Sequence, residues 1–301
     1  MKRTIHPLLA TTAAFGLLFA SCGDEPKDTN VEDVTQEVSV EEANENAVTS
    51  KLVKLDSEIF SLPSPVQTAV LLSKSEIPYN DALLNPVAKV NSYMNQSSQA
   101  LNLGVYGADL AYLSNYNNAQ LKLDYFKVVE DLATELNIRN NIDQSLIDRF
   151  ASNIDSRDSL YKLNANLFKA ADQYLKQNDE EEVAALVLSG GWIEALHLSM
   201  QAAESNDAMR NRIGEQGTAV RSIVNLLKRS TEPSTLELAA KMAALAELFE
   251  GLNMTYTYVK PIPDASQRIS YLNSKSKVEL SDEQLALIAV QVDAIRNMII
   301  Q

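Results

Sequence analysis

Cysteine and histidine are almost missing from this chain: one Cys, at position 22, and two His, at positions 6 and 197. A single cysteine rules out disulfides within the chain. With so few His and Cys, the Cys/His zinc sites and the two-histidine di-iron centre are ruled out as well. No phosphate-binding glycine loop, dinucleotide fingerprint, EF-hand loop or Gly-x-Ser-x-Gly elbow occurs. Glycine and proline number nine each in 301 residues, which suits long helices better than many short strands and turns. Tryptophan appears once, and aromatic residues make up only 6%. Positive charge is also scarce, with 26 Lys and Arg against 40 Asp and Glu and a net charge of −14. So acidic a chain repels phosphate backbones and anionic headgroups. No nucleic-acid partner is expected, and membrane contact is expected only through a covalent lipid.

What is present begins with a targeting pattern. Lys2 and Arg3 precede a largely apolar run from Leu8 to Ala20. This run is too short for a spanning helix, which needs about 20 residues, and has the length of a signal-peptide core. It ends Leu17-Leu18-Phe19-Ala20-Ser21-Cys22-Gly23. The pattern resembles the lipobox of bacterial lipoproteins, with Phe19 where Leu is usual. The resemblance implies cleavage before Cys22 and a diacylglyceryl thioether on its sulfur. Residue 23 is Gly rather than the Asp that would favour inner-membrane retention, and Asp24, Glu25 and Asp28 follow. The implied location is the outer membrane, facing the periplasm or the cell surface.

Loss of the signal, residues 1–21, removes Lys2 and Arg3 and makes the chain more acidic still. Residues 22–51 read as an acidic disordered tether: Cys22 to Ser50 holds nine acidic residues, one basic residue and no large aromatic. Such a stretch buries too little apolar surface to offset its chain entropy. Residues 52–301 read as a single α-helical domain. Ser64-Pro65-Val66-Gln67 is a helix start. Further helices are expected at about 86–116, interrupted near Gly104 or Gly107, then at 119–136, 144–154, 159–176, 180–203, 208–227, 235–252 and 281–300. The last opens on the capping box Ser281-Asp282-Glu283-Gln284. Residues 253–263 read as an extended connection or at most one β-arm. The expected fold class is all-α, a multi-helix bundle or a stack of helical hairpins. An alignment of residues 107–114 with 192–199 raises two related halves as one reading and chance matching of amphipathic helices as the other.

Candidate chemistry concentrates in those two stretches. Glu194 and His197 share a helix face, either as an ion pair or as part of a carboxylate-rich metal site. Ser189-Gly190-Gly191-Trp192 sets two glycines in a strong helical pattern. Glycine there permits close helix contact, a kink or backbone approach to a ligand. Tyr106, Asp109, Tyr112, Trp192, Glu194 and His197 therefore form the candidate ligand site; the competing reading is a packed core seam. Acidic Asp109 and Glu194 would favour a cationic or hydroxyl-rich ligand. No catalytic set, metal site or cofactor is assigned.

Phe60-Ser61-Leu62-Pro63-Ser64-Pro65, the run Leu101 to Leu110, and Ser189 to Glu194 together resemble a group of uncharacterised Bacteroidota lipoproteins. That resemblance implies an envelope location and no established activity. Imelysin-like proteins carry Gly-x-His-x-x-Glu, the reverse of Glu194 before His197, and SusD-like glycan-binding lipoproteins are richer in aromatic platforms. The expected function is a lipid-anchored helical module that binds a partner protein or a small ligand. The alternative is a carboxylate-based metal-binding protein or hydrolase with its site near Asp109, Glu194 and His197.

If Cys22 carries the whole attachment, Cys22→Ser releases the protein from membranes. Fractionation after a high-salt wash checks this, and a variant still in the pellet contradicts the lipoprotein reading.

Overall fold

The computed structural model describes residues 51–55, 58–62, 65–75, 77–139, 143–178, 180–258, 262–264, 269–271 and 275–301. The signal, Cys22 and the tether up to Ser50 lie outside the described residues. The fold is all-α with β-ribbon additions. Strands β1 (Lys51–Leu55) and β2 (Glu58–Leu62) form an antiparallel pair. Helices α1 (Pro65–Lys74), α2 (Gln96–Leu113), α3 (Ala119–Glu135), α4 (Gln144–Ser152) and α5 (Arg157–Gln177) follow. Next come α6 (Glu181–Ala203), α7 (Asp207–Gly214), α8 (Gly217–Leu227) and α9 (Pro233–Glu250). Strands β3 (Asn253–Thr257), β4 (Ile262–Asp264), β5 (Ile269–Tyr271) and β6 (Lys275–Glu279) precede α10 (Asp282–Ile299).

Local chemistry explains the helix starts. The Asn95 side chain accepts from Ser98 N at 2.8 Å, and the Ser98 hydroxyl returns the bond to Asn95 N. Asn118 and Asn206 cap α3 and α7 in the same way, accepting from Leu121 N and Met209 N. Ser281 accepts from Gln284 N, and Gln284 Oε1 accepts from Ser281 N. Each such cap satisfies amide groups that the first helical turn leaves without partners.

The core is built on α2 and α6. Both are apolar on every side, and such a helix must be covered all round. By length and composition α6 is able to cross a bilayer, but most of its apolar window is buried among its neighbours. The two helices meet backbone to backbone. A Cβ on Gly104 would lie 2.0 Å from Val187 O, and one on Gly190 would lie 1.9 Å from Leu101 O. A Cβ on Gly191 would sit 3.2 Å from Gly104 O. Around this pair, α3 packs on α2, and α10 and α1 on α6. Stacking of Phe126 on Phe150, 4.1 Å between centroids, joins α3 to α4.

Four details depart from the sequence reading. Helix α2 runs unbroken through Gly104 and Gly107; Gly104 serves interhelical contact rather than a break. Residues 86–95 are not helical in the α sense: Pro86 precedes a 3-10 stretch at Val87–Ser92, and α2 waits for its cap at Asn95. The expected 208–227 helix is two, α7 and α8, separated at Glu215 and Gln216. The extended segment after Asn253 is not single: β3 pairs with β6, Met254 opposite Val278, and β4 pairs with β5.

Gly190→Ala is expected to destabilise the protein by about 3 kcal/mol, because overpacking against a backbone carbonyl outweighs the roughly 1 kcal/mol helix-propensity gain. Gly251→Ala, whose Cβ meets nothing nearer than 3.9 Å, should be close to neutral. Urea unfolding of both variants checks the contrast, and equal effects would contradict it.

Candidate functional site

Where α2, α6 and α10 meet, three ionisable side chains are buried: Asp109 and Glu194 are wholly inaccessible and Arg296 is 7% exposed. Arg296 grips Glu194 with both arms of its fork, Nε to Oε2 at 2.7 Å and Nη2 to Oε1 at 2.8 Å. Nη2 also donates to Leu83 O at 2.8 Å. Burial works against the guanidinium charge, but the hydrogen bonds and charge of Glu194 more than compensate and raise its pKa.

Asp109 answers differently to the same environment. One oxygen, Oδ2, accepts from Asn85 N at 3.1 Å. Burial pushes its pKa well above the ordinary carboxylate value, and the neighbouring Glu194 charge adds to the rise; Arg296 opposes both. A carboxyl so placed favours its protonated form, and its other oxygen, Oδ1, is buried with no hydrogen-bond partner among the described residues. The triad then holds one negative charge, one positive charge and one neutral acid. Burying two carboxylates against one arginine would leave an uncompensated charge at a cost of several kcal/mol.

Asn85 is the hub beside it. It is fully buried in an irregular stretch, where backbone groups find no ladder to join. Its side-chain amide donates to Tyr93 Oη at 3.0 Å and Asn102 Oδ1 at 3.3 Å. Tyr125 donates to Asn85 O and Tyr106 to Pro86 O, at 3.0 and 2.9 Å. Tyr116 donates to Ile77 O, and Tyr112 accepts from Asn80 N. Tyr106 and Tyr112, read as part of the candidate ligand site, thus join Tyr116 in fastening the 77–93 segment to the core.

One turn outward the pairing repeats with its polarity exchanged. His197 Nδ1 lies 2.8 Å from Asp293 Oδ1. His197 follows Glu194 by three along α6, and Asp293 precedes Arg296 by three along α10, so the two helices run antiparallel here. His197 Nε2 is buried and has no hydrogen-bond partner among the described residues. This outer rung opens into a cleft of about 570 Å³. From α6 and its end come Met200, Gln201 and Glu204; from α10 come Asp282, Leu285, Ala286 and Ala289. Arg210 of α7 pairs with Asp282 at 2.6 Å on the rim.

The six residues singled out in the sequence therefore separate. Asp109 and Glu194 face one another inside the core, and Tyr106 and Tyr112 are buried beside the segment they fasten. Trp192 is 4% exposed and donates to Gln216 Oε1 at 3.1 Å; the void next to it is about 20 Å³, room for about one water. His197 alone reaches the open cleft. Among the described residues, no group of three or more His, Cys, Asp or Glu is arranged to hold a metal. Sequence reasoning missed Arg296, Asn85, Asp293 and Arg210. Arg296 had a signal: it is a charged residue flanked by Ile295 and Ile299 on a strongly apolar helix.

Two variants separate the roles of the acids. Asp109→Asn keeps the size of the side chain and an acceptor for Asn85 N and, like the protonated acid, carries no charge, so it should cost about 1 kcal/mol or less at pH 5. Glu194→Gln strands Arg296 and should cost about 3–5 kcal/mol. The pH dependence follows from a raised carboxyl pKa. Above the unfolded value near 4 the folded state binds the extra proton, so stability from Asp109 is full below that value and falls as pH rises, by up to about 1.4 kcal/mol per unit. Urea melts at pH 5 and pH 8 should show that decline shrinking in Asp109→Asn; an unchanged decline contradicts the protonated assignment.

Comparison of the chain with protein-family models, with curated proteins and with solved structures returns no match.

Proposed function

We propose that the protein is a lipid-anchored helical module of the bacterial envelope that binds a partner protein or small ligand in the cleft between α6 and α10. The reading assigns the anchor to Cys22, the reach to the acidic tether and recognition to the helical body. One observation carries it: of the two polar rungs between these helices, the Glu194–Arg296 ion pair is sealed and the His197–Asp293 contact opens on the cleft.

The cleft has the make-up of a binding site. Its floor is apolar, with Leu83, Met200, Leu285, Ala286 and Ala289, and its rim is charged. Ligand sites usually combine such a floor with a few placed polar groups. Glu204, Asp282 and Asp293 outnumber Arg210, so the rim favours a cationic or hydroxyl-rich ligand. Catalysis has weaker support. A His–Asp pair activates a nucleophile through the free ring nitrogen, but here Nε2 is turned away from solvent. The alternative of a metal-dependent or hydrolytic site near Asp109 and Glu194 is also weaker, since both carboxyls are wholly inaccessible and Arg296 occupies both oxygens of Glu194.

Thermal unfolding with spermidine, free arginine and maltotriose tests the reading. A probe at about 100 times its Kd adds about 2.7 kcal/mol of stability. The expected result is stabilisation by a cationic or polyhydroxyl probe that Glu204→Gln weakens and the cleft-filling Ala286→Trp removes. Stabilisation insensitive to both substitutions, or turnover in a hydrolase screen, contradicts it.

A further inference from the structure

The outward face of α10 is apolar where a surface helix is ordinarily polar. Leu287 and Val290 are 53% and 68% exposed, and Ala286 and Ala294 are exposed beside them. Val290 follows Ala286 by four and Leu287 by three, so the three share one side of the helix. Ala286 also lines the cleft. The apolar floor therefore continues out of the cleft and over the shoulder of α10. A molecule small enough for the cleft of about 570 Å³ would leave that shoulder in water. A polypeptide lying along the helix would cover both. Contiguous apolar surface rimmed by polar groups is what protein-binding sites present.

The charge around this surface is of one sign. Glu204 stands at the end of α6, and α10 contributes Asp282, Glu283 and Asp293. Helix α6 has no Lys or Arg, and the one Arg of α10 is the buried Arg296. Arg210 on the rim is already engaged. Its Nε donates to Ala203 O at 2.8 Å, its Nη1 to Leu280 O at 3.3 Å, and its Nη2 pairs with Asp282. The last turn of α6, which reaches the cleft through Met200 and Gln201, adds the negative end of its dipole. A partner that complements this face must carry positive charge beside apolar side chains. A second copy of the chain does not, because it brings the same acids.

We infer that the cleft and the outer face of α10 form one docking groove for a basic amphipathic helix of a partner protein. Its apolar side chains lie on Ala286, Ala289, Leu287 and Val290, and its lysines or arginines meet Glu204, Glu283 and Asp293. A helix can do both at once, since apolar anchors at i, i+3, i+4 and i+7 fill a groove while basic residues flank them. The small alanines on α10 let a docked helix approach closely. The inference rests on the reading of the cleft as a binding site and names the partner that fits it.

The test uses the chain from residue 22 with Cys22→Ser and Ala294→Cys, which puts the only thiol on the shoulder, labelled with an environment-sensitive dye. The probe is an amphipathic helical peptide of leucine and lysine, about 14 residues long, at physiological salt. Its counterpart carries glutamate in place of lysine. The expected result is a blue shift with the lysine peptide and a Kd at least about tenfold below that of the glutamate peptide. Leu287→Gln with Val290→Gln should weaken it about tenfold, and so, separately, should Glu204→Gln with Glu283→Gln. Asp124→Asn with Asp131→Asn, on α3, should leave it unchanged. All six side chains are exposed, so circular dichroism should match the parent. No binding of the lysine peptide, equal binding of both peptides, or affinity indifferent to Leu287 and Val290 overturns the inference. Stabilisation by spermidine, free arginine or maltotriose that depends on the cleft would then still support a small-ligand site, so the two readings fail separately. A dimer in ultracentrifugation that Leu287→Gln with Val290→Gln abolishes also overturns it.

Discussion

Helices α2 and α6 approach so closely at Gly104 and Gly190 that neither position has space for a Cβ, and the rest of the body is arranged around that contact. The approach fixes where Asp109 and Glu194 stand and brings their carboxyls together inside the core. Two acids at such range, removed from water, cannot both ionise without a large penalty. One keeps its proton, and the other takes Arg296 as its partner. Because Arg296 belongs to α10, that electrostatic requirement also ties the last helix to the central pair. Asn102 and Lys89 complete the tie, donating to Ile299 O and Ile300 O near the end of α10 at 2.9 Å each.

The same interior explains a polar segment in an apolar body. Residues 77–93 hold only two short 3-10 stretches and bury Leu84, Asn85 and Tyr93 against the core, so many of their backbone groups need partners from elsewhere. Tyrosine is suited to this, since its ring packs as a hydrophobe and its hydroxyl reaches a carbonyl. Burial pushes the Tyr106 and Tyr125 phenols well above their ordinary pKa, which keeps them as neutral donors. Most polar groups of the centre thereby bond one another, while Asn85 Oδ1 and Asp109 Oδ1 have no hydrogen-bond partner among the described residues. Moving outward by one helical turn, the His197–Asp293 pair meets the cleft, where Asp293 is 56% exposed. The outer rung is therefore the one within reach of solvent.

Much of this was legible in the sequence, and the parts that were not have physical reasons. The all-α class followed from helical spacing and sparse Gly and Pro, and the capping boxes set helix starts: Ser281 opens α10 as its pattern predicts. The importance of the Gly190–Gly191 pair was visible, together with packing as one of its meanings, but the partner Leu101 carbonyl is a property of three-dimensional approach. Asp109 and Glu194 were brought out by their shared context, whereas the ionic state of each depends on Arg296, which lies 102 residues from Glu194. Asn85 gave no signal, because a buried hub in an irregular segment has no period. The partner of β3 was missed because β6 lies across an intervening stretch with two prolines, and Ser276-Lys277-Val278 is too short and polar to read as a strand on its own.

The central claim is that the core is neutral because Asp109 retains its proton beside an ion-paired Glu194. Carbon-13 NMR of the side-chain carboxyls measures it directly, with the Asp109 resonance assigned by its loss in Asp109→Asn. The account predicts a resonance at the shift of a protonated acid that does not move between pH 5 and pH 7. A resonance at the carboxylate shift through that range, with a midpoint near the ordinary Asp value of about 3.9, would contradict it.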